Sequence, residues 1–207
     1  MTNYNIKKVT DYEAAQRERY FIDANVWIAV LKGVASLQPS NYEMPYVEFF
    51  DSIIQLNLLE DRRGLKALKK QGKFQPKIVM TSMLMSEIFN AYMRNVAMKL
   101  YYSKEELKRN DYKRNYRNTP DHDKQLKRLK DEFLAFYDYM EIKDDEFSKN
   151  DPKLICSQLK SDSDFNDQYY YYLLTDSNIP IVTGDRDFIF QDIEIITNNN
   201  ELLKLKS

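Results

Sequence analysis

Tyr20-Phe21-Ile22-Asp23-Ala24-Asn25 is the stretch on which the fold turns. A short apolar run is closed by a carboxylate, and Asp is a poor strand former. The pattern returns at Ile181-Val182-Thr183-Gly184-Asp185. A third acid, Glu87, falls about a turn into the helix expected after Ile78-Val79-Met80. Asp164 and Asp167 stand three apart, before the apolar-rich Tyr169–Leu174. Ligands of an open parallel α/β sheet bind just beyond the carboxyl ends of its strands. Acids from three separated segments are therefore expected to meet at one sheet edge. Like charges resist joint ionisation. A bound Mg²⁺ or Mn²⁺ removes that cost and supplies a reagent for phosphoryl chemistry.

Working outward, strands are expected at Tyr20–Asn25, Lys77–Thr81, Ile181–Thr183 and Ile193–Thr197. Helical spacing of Val47, Phe50, Ile54 and Leu58 predicts an amphipathic helix over 46–59. Thr81 or Ser82 caps a long helix with Met85, Ile88, Phe89, Tyr92, Val96 and Leu100 along one stripe. A further helix is expected over 124–139, after a break at Pro120, and another from a cap at Ser161 or Asp162. Residues 11–19 have helical composition, 35–45 read as a loop, and 60–76 are basic and polar. Strands alternating with helices imply a parallel sheet, here four or five short strands with helices on both faces.

Length and composition bound the function. A chain of 207 residues is one α/β domain by default and can bury a real core. The net charge of −1 announces no polyanionic partner, so any nucleic-acid surface must be local. The single cysteine, Cys156, allows no internal disulfide and no cysteine-based zinc site, in keeping with a reducing cytoplasm. The first nineteen residues lack the apolar core of a secretory signal, and no stretch approaches a membrane helix. The single histidine, His122, leaves no room for paired-histidine ribonuclease chemistry or a histidine-rich metal site.

Each acid has an ordinary alternative. Asp23 can be a helix N-cap. Glu87 can be a solvated helix residue. Asp162, Asp164 and Asp167 suit a helix N-terminus through the macrodipole, although Asp164 and Asp167 share a face and can both reach a cation. Thr183-Gly184-Asp185-Arg186-Asp187-Phe188 can be a turn that simply uses Gly and Asp.

Their joint order carries more. Phe21-Ile22-Asp23-Ala24-Asn25-Val26-Trp27-Ile28 resembles the opening strand of PIN domain nucleases, the fold of VapC-type toxin ribonucleases. Ser86-Glu87 after a strand resembles their second acid. Asp167, a helix, Ile179-Pro180-Ile181-Val182-Thr183, Asp185 and Asp187-Phe188 resemble their C-terminal block. The resemblance covers about 20–30, 77–92 and 162–190, and leaves about 35–76 and 100–150 as unmatched insertions. It implies a Mg²⁺- or Mn²⁺-dependent endoribonuclease, often toxic, held inactive by an antitoxin and commonly dimeric. Asp23, Glu87, Asp167 and Asp185 would then hold one or two cations, directly or through water, with Asp164 and Asp187 as further metal ligands, as groups behind the ligands, or as bystanders. Asn25 and Thr183 would contact substrate, Thr183 also orienting a carboxylate.

Lys108, Arg109, Lys113, Arg114 and Arg117 are candidate phosphate contacts, with Tyr112 and Tyr116 stacking on bases. A solvated, salt-bridged helix face explains the same residues. Arg117-Asn118-Thr119-Pro120-Asp121-His122 is similar to the Arg-x4-His signature of HEPN ribonucleases, which cut RNA without metal. An RNA-binding module that keeps the fold without catalysis is the non-enzymatic alternative. In the Tyr169–Tyr172 run only two rings can point inward on a helix, and these, with Met83, Met85, Met93 and Met98, read as core.

Overall fold

The computed structural model describes residues 4–59, 62–104, 111–149, 152–159, 164–175 and 177–206. Among these, six strands form a single sheet: β1 Ile6–Lys8, β2 Arg19–Ile22, β3 Lys77–Met80, β4 Met140–Ile142, β5 Ile181–Val182 and β6 Ile195–Thr197. Their order is β4-β3-β2-β5-β6-β1, and every neighbouring pair is parallel. The sheet thus exceeds the four or five strands expected. The two missed strands, β1 and β4, are three-residue edge strands with largely polar sequence, Ile-Lys-Lys and Met-Glu-Ile. They carry no apolar run for periodicity to detect.

The helices are α1 Ala24–Leu31, α2 Met44–Asn57, α3 Arg62–Lys70, α4 Ser82–Tyr92, α5 Met98–Lys104, α6 Pro120–Ala135, α7 Pro152–Gln158, α8 Phe165–Thr175 and α9 Asn200–Leu203. They cover both faces of the sheet. Successive residues of a strand point to opposite sides. Tyr20 packs edge-on against Phe49 of α2 at 5.2 Å between ring centroids, and the next residue, Phe21, meets Tyr170 of α8 at 4.7 Å. Burial on both sides explains why β2 and β3 read as unbroken apolar runs.

Several local expectations change. Residues 11–19 form no helix but 3-10 turns at Val9–Asp11 and Ala14–Gln16, pinned where the buried Tyr20 hydroxyl donates to the Ala14 carbonyl at 2.9 Å. Pro120 starts α6 rather than breaking it, because its missing N–H costs nothing at the first helical position. Thr119 caps that turn, accepting from the His122 amide at 3.2 Å. The long helix after β3 runs from α4 through a π-helical segment, Met93–Ala97, into α5. Its buried ridge is Leu84, Ile88 and Tyr92, one position away from Met85, which is 40% exposed and not core. Of the four tyrosines, Tyr169 and Tyr170 are buried, and Tyr171 and Tyr172 are only half-buried.

The segments outside the resemblance belong to the same core. Residues 35–76 supply Phe49, Phe50 and Ile53, and 100–150 supply Leu129, Phe133 and the edge strand β4. The strand order sets the site. From β2 the chain moves outward to β3 and β4, then returns to lay β5 on the other side of β2, followed by β6. The direction of progression reverses between β2 and β5. At such a switch point the outgoing connections part and leave a crevice beyond the carboxyl ends of the strands.

Candidate active site at the switch point

Asp23 and Asp185 flank this crevice. The Asp23 amide donates to the Val182 carbonyl at 3.0 Å, continuing the β2–β5 ladder by one residue. Asp23 does act as an N-cap: its Oδ1 accepts from the Ala24 amide at 2.6 Å. The other oxygen has a second role. Asp23 Oδ2 accepts from Thr183 Oγ1 at 2.6 Å, and also from Asn25 Nδ2. The buried Thr183 hydroxyl in turn accepts from the Asp185 amide at 2.9 Å, and Asp185 Oδ1 accepts from the Asp187 amide at 3.0 Å. One hydrogen-bonded chain thus links the end of β2 to the turn after β5. The Gly184 amide donates to Asn25 Oδ1 at 3.0 Å, and a Cβ at Gly184 would lie 3.3 Å from that oxygen. A side chain there would require the Asn25 amide to yield by a few tenths of an ångström. Asn25, expected as a substrate contact, is chiefly a brace between the two strand ends.

Glu87 is half-buried and held, not solvated. Tyr170 donates its hydroxyl to Glu87 Oε2 at 2.9 Å, and Asn166 Nδ2 donates to the same oxygen at 3.2 Å. The N-terminus of α8 lies beside Glu87, as the Asn166 bond shows. Asp164 and Asp167 cap it reciprocally: the Asp167 amide donates to Asp164 Oδ1 at 3.0 Å and the Asp164 amide to Asp167 Oδ2 at 3.2 Å. Ser161 and Asp162, the expected caps, lie outside the described residues.

The acids share an electric field. Burial drives the Asp23 carboxyl up to about 7; the Thr183 bond opposes this, and the charges of Glu87 and Asp185 add to it. Asp167 is also pushed up to about 7, by burial first and then by the charges of Asp164, Asp23 and Asp185. Burial raises Glu87 as well, against its bonds from Tyr170 and Asn166, with Asp164 and Asp185 adding charge repulsion. Acids from the three separated segments therefore face a common region. Asp187 is exposed and paired with Arg186 Nε at 3.2 Å.

The donor set fits a hard divalent cation. It consists of carboxylate oxygens, which Mg²⁺ and Mn²⁺ prefer. One oxygen each of Glu87, Asp164, Asp167 and Asp185 is locked by a hydrogen bond, while the second carries none among the described residues. Still, no three His, Cys, Asp or Glu side chains among the described residues close into a ready-made ligand shell. The acids from different segments influence one another through charge, and only Asp164 and Asp167 are joined directly, each accepting from the other's amide.

The basic stretch is more ordinary than expected. Lys108 and Arg109 lie outside the described residues. Lys113, Arg114 and Arg117 are exposed, with Arg114 3.8 Å from Asp111. Tyr116 is buried and donates to Asp121 at 2.9 Å, so it offers no face to a base. The Tyr112 hydroxyl lies 3.2 Å from Nε2 of His122, which is 6% exposed. Arg117 is exposed while His122 is enclosed, so the two do not form the open pair that metal-free cleavage demands.

Other residues of the site escaped sequence reasoning. Asn166 and Tyr170 are one helical turn apart, a spacing that would have put both on the face toward Glu87. Tyr42 donates to the Gly184 carbonyl at 3.0 Å, as does Asn199 Nδ2 at 3.0 Å. Tyr46 receives the Asn198 amide at 2.7 Å. Together with Asn25, Asp185 and Arg186 they line a cavity of about 460 Å³ beside the acids. The only sequence signal was the Asn198-Asn199-Asn200 run just after β6, typical of caps and turns. No helix among the described residues is long and apolar enough to cross a membrane. Comparison with protein-family models, curated proteins and solved structures gives no match.

Proposed function

We propose that this protein is a divalent-metal-dependent endoribonuclease that hydrolyses RNA phosphodiester bonds. The observation that carries the reading is the mutual charge repulsion at the switch-point crevice: Glu87 and Asp185 act on Asp23, and Asp164, Asp23 and Asp185 act on Asp167, adding to burial in raising both carboxyls to about 7. Clustered carboxylates of this kind are costly unless a cation is their partner. The resemblance of the three blocks to PIN domain nucleases points the chemistry toward RNA. On the same resemblance, the protein acts as a toxin restrained by an antitoxin.

When bound, Mg²⁺ or Mn²⁺ supplies a water of lowered pKa and neutralises charge on the scissile phosphate. The chain's own residues divide the remaining work. Glu87, Asp167 and Asp185 would offer the cation the oxygen that carries no hydrogen bond among the described residues, and so would Asp164. Asp23 is held in one orientation by Ala24, Asn25 and Thr183 and contributes charge. Tyr170 and Asn166 fix Glu87, and the Gly184 turn fixes Asp185.

The test is RNA cleavage by purified protein with Mg²⁺ or Mn²⁺, with and without EDTA, comparing wild type, Asp23→Asn and His122→Ala. Cleavage that needs metal and Asp23 but survives His122→Ala is the expected result. Cleavage that persists in EDTA and in Asp23→Asn overturns the reading.

A further inference from the structure

Residues 62–77, Arg-Arg-Gly-Leu-Lys-Ala-Leu-Lys-Lys-Gln-Gly-Lys-Phe-Gln-Pro-Lys, hold seven cations and no acid, in a chain whose net charge is −1. The first nine residues form α3, a strongly amphipathic helix. Leu65 and Leu68 are half-buried on its inner side, while Lys66, Lys69 and Lys70 are exposed and make no ion pair among the described residues. Lys73 pairs with Glu13 at 2.7 Å, and Lys77 donates to the Asp138 carbonyl at 2.7 Å. Leu68, Lys69, Lys73, Phe74 and Lys77 line an open groove of about 670 Å³ that reaches Arg19. Phe74 is 36% exposed within this ring of lysines. Glu18 and Glu141 also line the groove, the latter paired with Arg19 at 3.4 Å.

Arg19 and Lys77 are register partners at the first positions of β2 and β3, so the groove lies at the amino edge of the sheet. Asp23 is four residues further along β2, about 13 Å at ~3.3 Å per residue. The acidic edge repels a phosphate backbone, and Arg186, the cation beside it, is spent on Asp187. An RNA substrate must therefore take its electrostatic affinity from elsewhere on the molecule.

We infer that α3 and the Lys73–Lys77 segment form a single-stranded RNA-binding groove, separate from the acidic crevice, in which the lysines hold phosphates and Phe74 stacks on a base. Lys69 lines the groove, and the exposed Lys66 and Lys70 continue its helix face beyond the groove's rim. Such a stripe tracks a backbone without reading sequence, and an aromatic face accepts any base. The inference rests on the nuclease reading for the identity of the polyanion, but its test does not depend on cleavage.

The experiment measures anisotropy of a fluorescein-labelled single-stranded RNA of about 20 nucleotides, in EDTA. It compares wild type, K66E/K69E/K70E, the milder K66Q/K69Q/K70Q, Phe74→Ala, and K124E/K127E/K130E on α6 as a control of equal net charge. Circular dichroism confirms that each variant is folded. The α3 charge reversal should weaken Kd by about tenfold or more, and neutralising three phosphate contacts fewer should flatten the log Kd–log salt slope by about two. The glutamine variant and Phe74→Ala should show smaller losses, and the α6 control little change. Equal weakening by the α3 and α6 triples would mean that only global charge matters, and overturns the proposal. So does unchanged binding in both α3 triples, or competition by poly-glutamate as effective as RNA at equal charge. Lysine-dependent binding in a protein that never cleaves would retire the nuclease and keep the groove. Cleavage with lysine-independent binding would do the reverse.

Discussion

Thr183 Oγ1 donates a 2.6 Å hydrogen bond to Asp23 Oδ2, joining residues 160 apart in sequence across the point where the sheet reverses direction. The same hydroxyl accepts the Asp185 amide, so one buried side chain sets the positions of two acids. Thr183→Val keeps the shape and removes the hydroxyl. It removes the partner of the half-buried Asp185 amide, a loss of about 0.5–1.5 kcal/mol. Asp23 also loses a bond that favours its ionised form. Chemical denaturation should show the loss of stability, and steady-state cleavage a fall in kcat larger than the change in KM. Wild-type kcat in this variant would remove Thr183 from the positioning role.

Asp23 and Asp167 lead to a pH prediction. Both carboxyls are pushed up to about 7 in the folded protein, from an unfolded value near 3.8. Between those values the native state binds more protons than the unfolded chain, so stability falls as pH rises through the window. Metal-free protein in EDTA should melt at a lower temperature near pH 8 than near pH 5. Mg²⁺ or Mn²⁺ should recover more of the melting temperature at the higher pH, where the carboxylates are ionised. A melting temperature that rises over this window without metal contradicts the raised carboxyls of Asp23 and Asp167.

Tyr170 separates packing from positioning. Its ring packs on Phe21 and its hydroxyl reaches Glu87. Tyr170→Phe keeps the first contact and removes the second. Groups that orient a ligand typically matter 10- to 100-fold for metal affinity, and a loss of about tenfold in Mn²⁺ affinity is expected here. Calorimetric titration with Mn²⁺ reads this directly. The melting temperature should change by only a few degrees.

Gly184 tests the tightness of the turn. A methyl group there would sit 3.3 Å from Asn25 Oδ1 and 3.4 Å from the Tyr42 hydroxyl. Gly184→Ala must push one of them away, at a cost of about 1–3 kcal/mol for overpacking. Because the displaced turn carries Asp185, cleavage should fall further than stability alone explains. Relief by the double variant Gly184→Ala with Tyr42→Phe, measured as a double-mutant cycle, would locate the crowding.

The central strands were legible because they are buried on both faces. Tyr20–Ile22, Ile78–Met80 and Ile181–Val182 are continuous apolar runs, and the acids stand out against them. Asp23 and Asp185 could be picked for this reason, and the charges of Glu87, Asp167 and Asp185 reach one another's neighbourhood in the fold. Edge strands were not legible. Lys7, Lys8, Glu141 and Ile142 meet solvent, so nothing in their polarity distinguishes β1 and β4 from a loop. The stacking role expected of Tyr116 failed for a similar reason. Polarity of the surrounding stretch says nothing about one ring turned inward beside His122.

The sequence by itself determined an alternating α/β chain and a parallel sheet. These depend on local periodicity and strand direction, which neighbouring residues encode. Only the tertiary structure decided the strand order that puts β2 beside β5, and with it the Thr183–Asp23 bond. It alone showed Tyr170 and Asn166 on Glu87 and the loop tyrosine Tyr42 on Gly184. It also decided that the cations of α3 stand at the opposite edge from the acids. Long-range pairings follow from how whole faces are buried together, and a hydrogen bond between residues 160 apart leaves no trace in the spacing of either segment.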